Sequence, residues 1–159
     1  LLRDLINLMR IAINNSKIDI SDINTTKKIA EDFIKHLKIG SFVCLYGEIG
    51  VGKTTFVKHF INTYQKYKNL EISEVTSPTF SLLNEYEIEE LVIKHYDLYR
   101  LKSKSEIKNL DLFDIDKNTI TFIEWPELVD KKKLLNNVDL IFSYENNLDN
   151  RFIKISGLT

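Results

Sequence analysis

The sequence predicts a three-layer α/β domain, a mainly parallel central sheet between helices with antiparallel strands added at the C-terminal end. Three observations carry that expectation. Residues 42–46 form a nearly continuous apolar run, the pattern of a central strand buried on both faces. A glycine-rich turn follows at once, and beyond it Phe56, Val57, Phe60, Ile61 and Tyr64 recur at helical spacing. Apolar stretches of strand length then return at 80–88, 91–96, 119–123, 138–144 and 152–155.

The 159 residues, 43% hydrophobic and 28% charged, make one domain's worth of ordinary globular sequence and exclude disordered or collagen-like classes. With 22 basic and 23 acidic residues the net charge is −1, which is not the balance of a chain that grips nucleic acid unaided. Cys44 is the single cysteine, so no internal disulfide can form. The chain opens on Leu1, its only methionine is Met9, and the apolar stretch 1–13 is interrupted by Arg3, Asp4 and Arg10. That stretch is shorter than the ~20 residues of a membrane span and lacks the layout of a secretory signal. Residues 1–15 are expected to be an N-terminal extension of open status, an amphipathic helix or an overhang, and 16–159 a single domain with no membrane association.

Taken in order, 18–20 alternates as a short strand. Asn24, Thr25 and Thr26 offer N-caps to a helix marked by Ile29, Ala30, Phe33, Ile34 and Leu37, which Gly40 should end. The strand 42–46, the turn and a helix over 54–67 come next. After Pro78, the alternating stretches 80–88 and 91–96 are separated by Glu89 and Glu90. A helix containing Ile107 and Leu110 precedes the strand 119–123. The turn-rich 146–150 splits the last two strands, 138–144 and 152–155. There is no internal repeat and no low-complexity linker.

Gly47-Glu48-Ile49-Gly50-Val51-Gly52-Lys53-Thr54 fits G-x-x-x-x-G-K-[ST] at every fixed position. Glycines let such a loop curl so that successive backbone N–H groups face phosphate oxygens. The lysine brings a charge to the β- and γ-phosphates, the threonine hydroxyl serves Mg²⁺, and the following helix directs its positive end at the same anion. This predicts a P-loop NTPase-like domain whose nucleotide is held by residues 47–54 and Thr55. No N-K-x-D guanine reader is present. Downstream of the loop only Arg100 and Arg151 could serve as the arginines of a kinase lid. An ATP-hydrolysing switch is therefore favoured; a small metabolite kinase and a nucleotide-gated interaction module remain as alternatives.

Gly47–Phe56, Ser77-Pro78-Thr79-Phe80, His95-Tyr96-Asp97-Leu98-Tyr99-Arg100-Leu101 and Glu124-Trp125-Pro126-Glu127 stand in this order and spacing. Together they resemble the bacterial TsaE (YjeE) ATPases, which serve the synthesis of threonylcarbamoyladenosine in tRNA next to the anticodon. The likeness runs from about Ile20 to Ile155. It implies a cytoplasmic protein, monomeric in isolation, that uses ATP and Mg²⁺ and works with the partners TsaB and TsaD. Its hydrolysis would depend on those partners and reset their complex between turnovers, with tRNA met only through the complex.

The resemblance also assigns roles. Asp97, at the end of an apolar strand, becomes a metal-directed carboxylate, where its residue type alone equally suggests a turn cap. Thr79 matches a switch-like loop, where Ser77-Pro78 alone suggests a plain turn. Glu124 follows an apolar strand, where a carboxylate lies in the ligand crevice of an open α/β sheet and can act on water or on a metal-bound water. Thr54, Asp97 and Glu124 are thus the expected metal set, with Asp97 and Glu124 catalytic. Trp125 reads as core packing by type, and the resemblance moves it to the nucleotide and partner surface. An arginine near the nucleotide falls at Arg151, which opens the last strand after the weakly patterned residues 130–150. Glu48 reads as a solvated loop carboxylate without a catalytic role. His36, His59 and His95 have no metal spacing with one another or with Cys44, which reads as a small core residue. Lys27-Lys28 and Lys131–Lys133 read as solvated faces. Where the family commonly has a glycine between the Asp97 and Glu124 motifs, this chain has Asn109-Leu110-Asp111, so the turn there is not fixed.

Overall fold

The computed structural model describes Arg3 and residues 16–114 and 116–158; the expectation for residues 1–15 lies outside the described residues, Arg3 apart. The elements are β1 (Lys17–Asp19), α1 (Ile23–His36), β2 (Phe42–Tyr46), α2 (Lys53–Tyr67), β3 (Leu83–Ile88) and β4 (Leu91–Asp97). They continue with α3 (Lys104–Ile107), β5 (Thr119–Glu124), β6 (Asn137–Glu145) and β7 (Asn147–Ser156). One sheet runs in the order β1-β7-β6-β2-β5-β4-β3. Its centre is parallel, β2 lying between β6 and β5 and β5 pairing with β4, while both ends are antiparallel.

The face that positions the site carries both long helices. Period-two alternation sends Val43 and Leu45 of β2 and Phe122 of β5 to that side, where they join Phe33 of α1 and Phe56 and Phe60 of α2 in one core. Phe60 meets Phe122 edge-on with ring centroids 4.9 Å apart, and Phe33 meets Phe56 at 5.5 Å. Such pairs add to the burial of large aromatic surface. The opposite face presents Phe42, Cys44, Tyr96 and Ile123 to a thinner third layer built from α3 and short 3₁₀ turns, through Leu98, Ile107, Leu112, Val129 and Leu134. Cys44 is a core residue: its thiol donates to Asn137 Oδ1 at 3.3 Å, and burial pushes it up to about 12. No helix among the described residues is long and apolar enough to cross a membrane.

Several boundaries differ from the sequence expectation for identifiable reasons. The N-cap of α1 is Asp22, whose carboxylate accepts from the Asn24 N–H at 2.9 Å, so Asn24–Thr26 form the first turn instead. That helix stops at Leu37; Gly40, with φ +91°, turns the chain into β2 and does not end the helix. Residues 80–82 belong to a turn after Pro78, closed by the Leu82 N–H on the Pro78 carbonyl at 2.7 Å, and β3 begins only at Leu83. α3 ends at Ile107 and Leu110 falls outside it. The stretch Asn109-Leu110-Asp111 contains no positive φ, so a glycine is not required there. The turn expected over 146–150 is a reversal at Asn146, φ +66°, followed by a bulge: Asn147 pairs with Glu145, its Oδ1 accepts from the N–H groups of Asp149 and Asn150, and pairing with β6 resumes at Arg151 opposite Tyr144.

Removing the Phe60 ring would open a cavity between α2 and β5. Phe60→Ala is expected to destabilise the domain by about 3–5 kcal/mol, read as a lowered urea midpoint at unchanged m-value.

Candidate functional site

The loop after β2 is shaped by its backbone. Gly47 has φ +140°, and a Cβ there would lie 2.8 Å from the Phe142 carbonyl oxygen and 2.9 Å from Val51 Cγ1. The chain therefore passes against β6 only as glycine. Gly52, at φ +118°, is the N-cap of α2 and supplies no side-chain acceptor, so the first N–H groups of the helix have no side-chain cap. Val51 is buried beneath the loop.

Above the start of α2 lies a cavity of about 310 Å³, lined by Ile49, Gly50, Gly52, Lys53, Thr54 and Thr55 from the loop and helix. Its other walls are Ser77 and Thr79, Asp97 and Tyr99, and Glu124 and Trp125. The carboxylates converge because β4 and β5 are parallel and in register, Asp97 opposite Glu124, at their C-terminal ends. Both are 3% exposed and neither is left without donors. Asp97 Oδ2 accepts from Ser77 Oγ at 2.5 Å and Thr79 Oγ1 at 3.0 Å, and Oδ1 accepts from the Tyr99 N–H at 3.0 Å. Glu124 Oε1 accepts from Thr54 Oγ1 at 2.7 Å and from His95 Nε2 at 2.9 Å.

Lys53 is 5% exposed and donates to the carbonyls of Gly47 and Glu48. Burial holds its ammonium below the usual lysine range, and Glu124 and Asp97 pull it back upward. The same ammonium stands 3.8 Å from the centroid of the Trp125 ring, a cation–π contact. Trp125 belongs to neither core; its indole lies 4.9 Å from the Tyr99 ring and its backbone is left-handed, φ +56°.

The structure thus gathers Ile49, Gly50, Gly52, Lys53, Thr54, Thr55, Thr79, Asp97, Glu124 and Trp125 around one space. Gly47 and Val51 shape the loop from outside it, and Glu48 is exposed. Arg151 stands apart, in a small cleft with Val51, Gly52 and Thr55 on another side of the loop, its guanidinium 5.7 Å from the Tyr144 ring centroid. Ser77, Tyr99 and His95 are members that residue-by-residue reading passes over. A signal for His95 existed: it stands two positions before Asp97 on a strand, hence on the same face.

Fold and site together define a P-loop domain of the NTPase type. A sequence model described as "Threonylcarbamoyl adenosine biosynthesis protein TsaE" matches residues 20–153, and the chain belongs to the TsaE family. The protein of that name from Rickettsia bellii is 40% identical over 115 residues, 72% of this chain and 77% of that one. Its counterpart from Aquifex aeolicus is 40% identical over 102 residues, 64% and 70% of the two chains. The Rickettsia conorii protein is 40% identical over 104 residues, 65% of this chain and 57% of that one. All three carry the name tRNA threonylcarbamoyladenosine biosynthesis protein TsaE. The crystal structure of Bacillus subtilis YdiB superimposes with a TM-score of 0.63 at 24% identity, over 90% of this chain and 85% of that one, a likeness of fold.

Gly47→Ala should destabilise the domain by about 2–3 kcal/mol, since it combines a Gly-only φ with a backbone collision. Gly50 has φ +79° and nothing closer than the Tyr144 hydroxyl at 3.5 Å. Gly50→Ala should therefore lose only about 1 kcal/mol, and equal urea midpoints for the two variants would contradict the geometry.

Proposed function

We propose that the chain binds ATP with Mg²⁺ in this cavity and hydrolyses it in the service of threonylcarbamoyladenosine formation in tRNA. The observation that carries this is the convergence of Glu124 and Asp97 on the hydroxyl-bearing first turn of a P-loop helix, with Thr54 Oγ1 2.7 Å from Glu124 Oε1. The donor set fits Mg²⁺. Thr54, Thr79, Asp97 and Glu124 offer only oxygen, the ligand chemistry of a hard cation that also keeps phosphate and water ligands. Two carboxylates against one ammonium leave the cavity net negative, which repels a triphosphate arriving without a cation.

Thr54, Asp97 and Glu124 would hold the metal, which supplies charge neutralisation at the phosphates when bound. Lys53 exchanges its bonds to loop carbonyls for phosphate oxygens, and the uncapped amides of α2 face the same anion. Glu124 orients the attacking water. Thr79, tied to Asp97, couples the 77–79 loop to the metal side of the site. Arg151 and Thr55, on the flank of α2, are assigned to the nucleotide beyond its phosphates.

Partner dependence is supported by the cavity rim. Ile49 is 67% and Tyr99 49% exposed at the rim, and Phe80, the residue after the lining Thr79, is 85% exposed, large apolar groups of the kind that mark an interaction surface. The relatives' names place them in tRNA modification, and the reading is that TsaB and TsaD cover this rim. Hydrolysis then resets their complex between turnovers, tRNA is reached through that complex, and the setting is cytoplasmic. Phosphate release from Mg·ATP should be measured for the chain alone, the TsaB–TsaD pair alone and the three together. Release stimulated only in the full mixture is expected; transfer to a small metabolite, or binding without release, would overturn the reading.

Two substitutions separate the roles. Glu124→Ala should keep ATP binding and lower release on the order of 100-fold, about 3 kcal/mol of barrier. Thr54→Ala should weaken Mg·ATP by far more than metal-free ATP in calorimetry, because it removes a metal ligand; equal losses would refute that role.

A further inference from the structure

We propose that His95 is a positioning residue for Glu124: its imidazole, donating from Nε2, holds the carboxylate in the orientation used for turnover. The proposal rests on the assignment of Glu124 to ATP hydrolysis. His95 stands opposite Phe122 in the β4–β5 register, one pleat behind the Asp97–Glu124 pair and on the same face. Its side chain is 0% exposed, and Nε2 lies 2.9 Å from Glu124 Oε1. A carboxylate only accepts, so the hydrogen of this bond belongs to Nε2. The other ring nitrogen, Nδ1, is buried with no partner among the described residues.

The consequence falls on the carboxylate. Thr54 and His95 both take Oε1, and Oε2 accepts no hydrogen bond from the described residues. Oε2 is the oxygen left for a ligand or water. Thr54 itself belongs to the binding machinery, so His95 is the anchor that stays in place whatever enters the cavity.

The test has two arms. In the ligand-free chain labelled with ¹⁵N-histidine, long-range ¹H–¹⁵N correlation should show a hydrogen on His95 Nε2; a ring that carries its hydrogen on Nδ1 alone overturns the proposal. In the full TsaB–TsaD mixture, His95→Leu removes the donor and His95→Gln keeps an N–H near the same place. The expected result for His95→Leu is an unchanged melting temperature within a few degrees, KM within about threefold, and kcat lowered 10- to 100-fold. His95→Gln should recover most of that loss, and His95→Leu should add nothing in a Glu124→Ala background. Full kcat in His95→Leu overturns the proposal. Should His95→Leu fail to fold, His95→Asn, whose shorter amide falls short of Oε1, takes its place under the same criterion. A wild-type chain that releases no phosphate with its partners overturns the ATPase reading itself. A normal wild type beside a fully active His95→Leu overturns the positioning role alone.

Discussion

The parallel register of β4 on β5 is the constraint on which the rest of the site depends. It sets Asp97 opposite Glu124, and the two-residue pleat sends both, with His95 behind them, to the face that α2 covers. On the other side of β5, Leu45 of β2 is paired with Glu124, so the loop leaving β2 begins beside that carboxylate. Thr54 in the first turn of α2 then needs only its own side chain to reach Glu124. A slip of one residue between β4 and β5 would turn one carboxylate to the opposite face, among Tyr96 and Ile123, and dismantle the site. The same slip would move Ile93 and Tyr96 of β4 out of the cores on their respective faces, so packing and chemistry share one cause.

The way the carboxylates are satisfied matters as much as where they lie. Ser77, Thr79 and Thr54 donate to Asp97 and Glu124 through hydroxyls, which carry no charge to cancel that of the carboxylates. Lys53, the one ammonium lining the cavity, is turned to the loop carbonyls. A salt-bridged pair would have been quieter electrostatically and useless for attracting a cation. Buried anions held by hydroxyls keep their field, which low dielectric surroundings strengthen.

Legibility in the sequence followed how local each signal was. β2 was readable to the residue and α2 to within one, because a continuous apolar run, glycine spacing and a 3.6-residue period act within a few positions. Asp22, by contrast, stands next to three other good cap residues, and only the backbone decides among them. Phe80 looks like part of an alternating strand, yet its ring lies exposed beside Arg100, whose guanidinium donates to the Phe80 carbonyl at 3.0 Å. Asn147–Asn150 have turn composition and form a bulge at the start of β7, with the Asn147 side chain bonded to the Asp149 and Asn150 N–H groups, so the composition marked an irregularity within the hairpin and not the end of its strand. The loop and Glu124 could be read from the sequence as candidates for a phosphate or metal site, and Asp97 only through the family resemblance. Their meeting was not legible, and neither were Ser77 and His95 as partners, because these contacts depend on strand register between segments far apart in the chain.

The floor and the rim of the cavity are built differently, and that difference bears on how such a site can respond to its contents. The floor is sheet: Asp97, Glu124 and His95 stand on hydrogen-bonded strands over a close-packed core. The rim turns on Trp125, a non-glycine residue at φ +56° set directly before Pro126, a combination the backbone disfavours. What holds it is aromatic contact with Tyr99 and the Lys53 ammonium 3.8 Å from its ring. Segments kept by few contacts are the ones that open at low free energy. Lys53 therefore joins the two parts, since the ammonium that anchors the rim is also the cation an entering anion would engage. Placing the strain at Trp125, one residue beyond Glu124, leaves the carboxylate on the rigid side of that boundary.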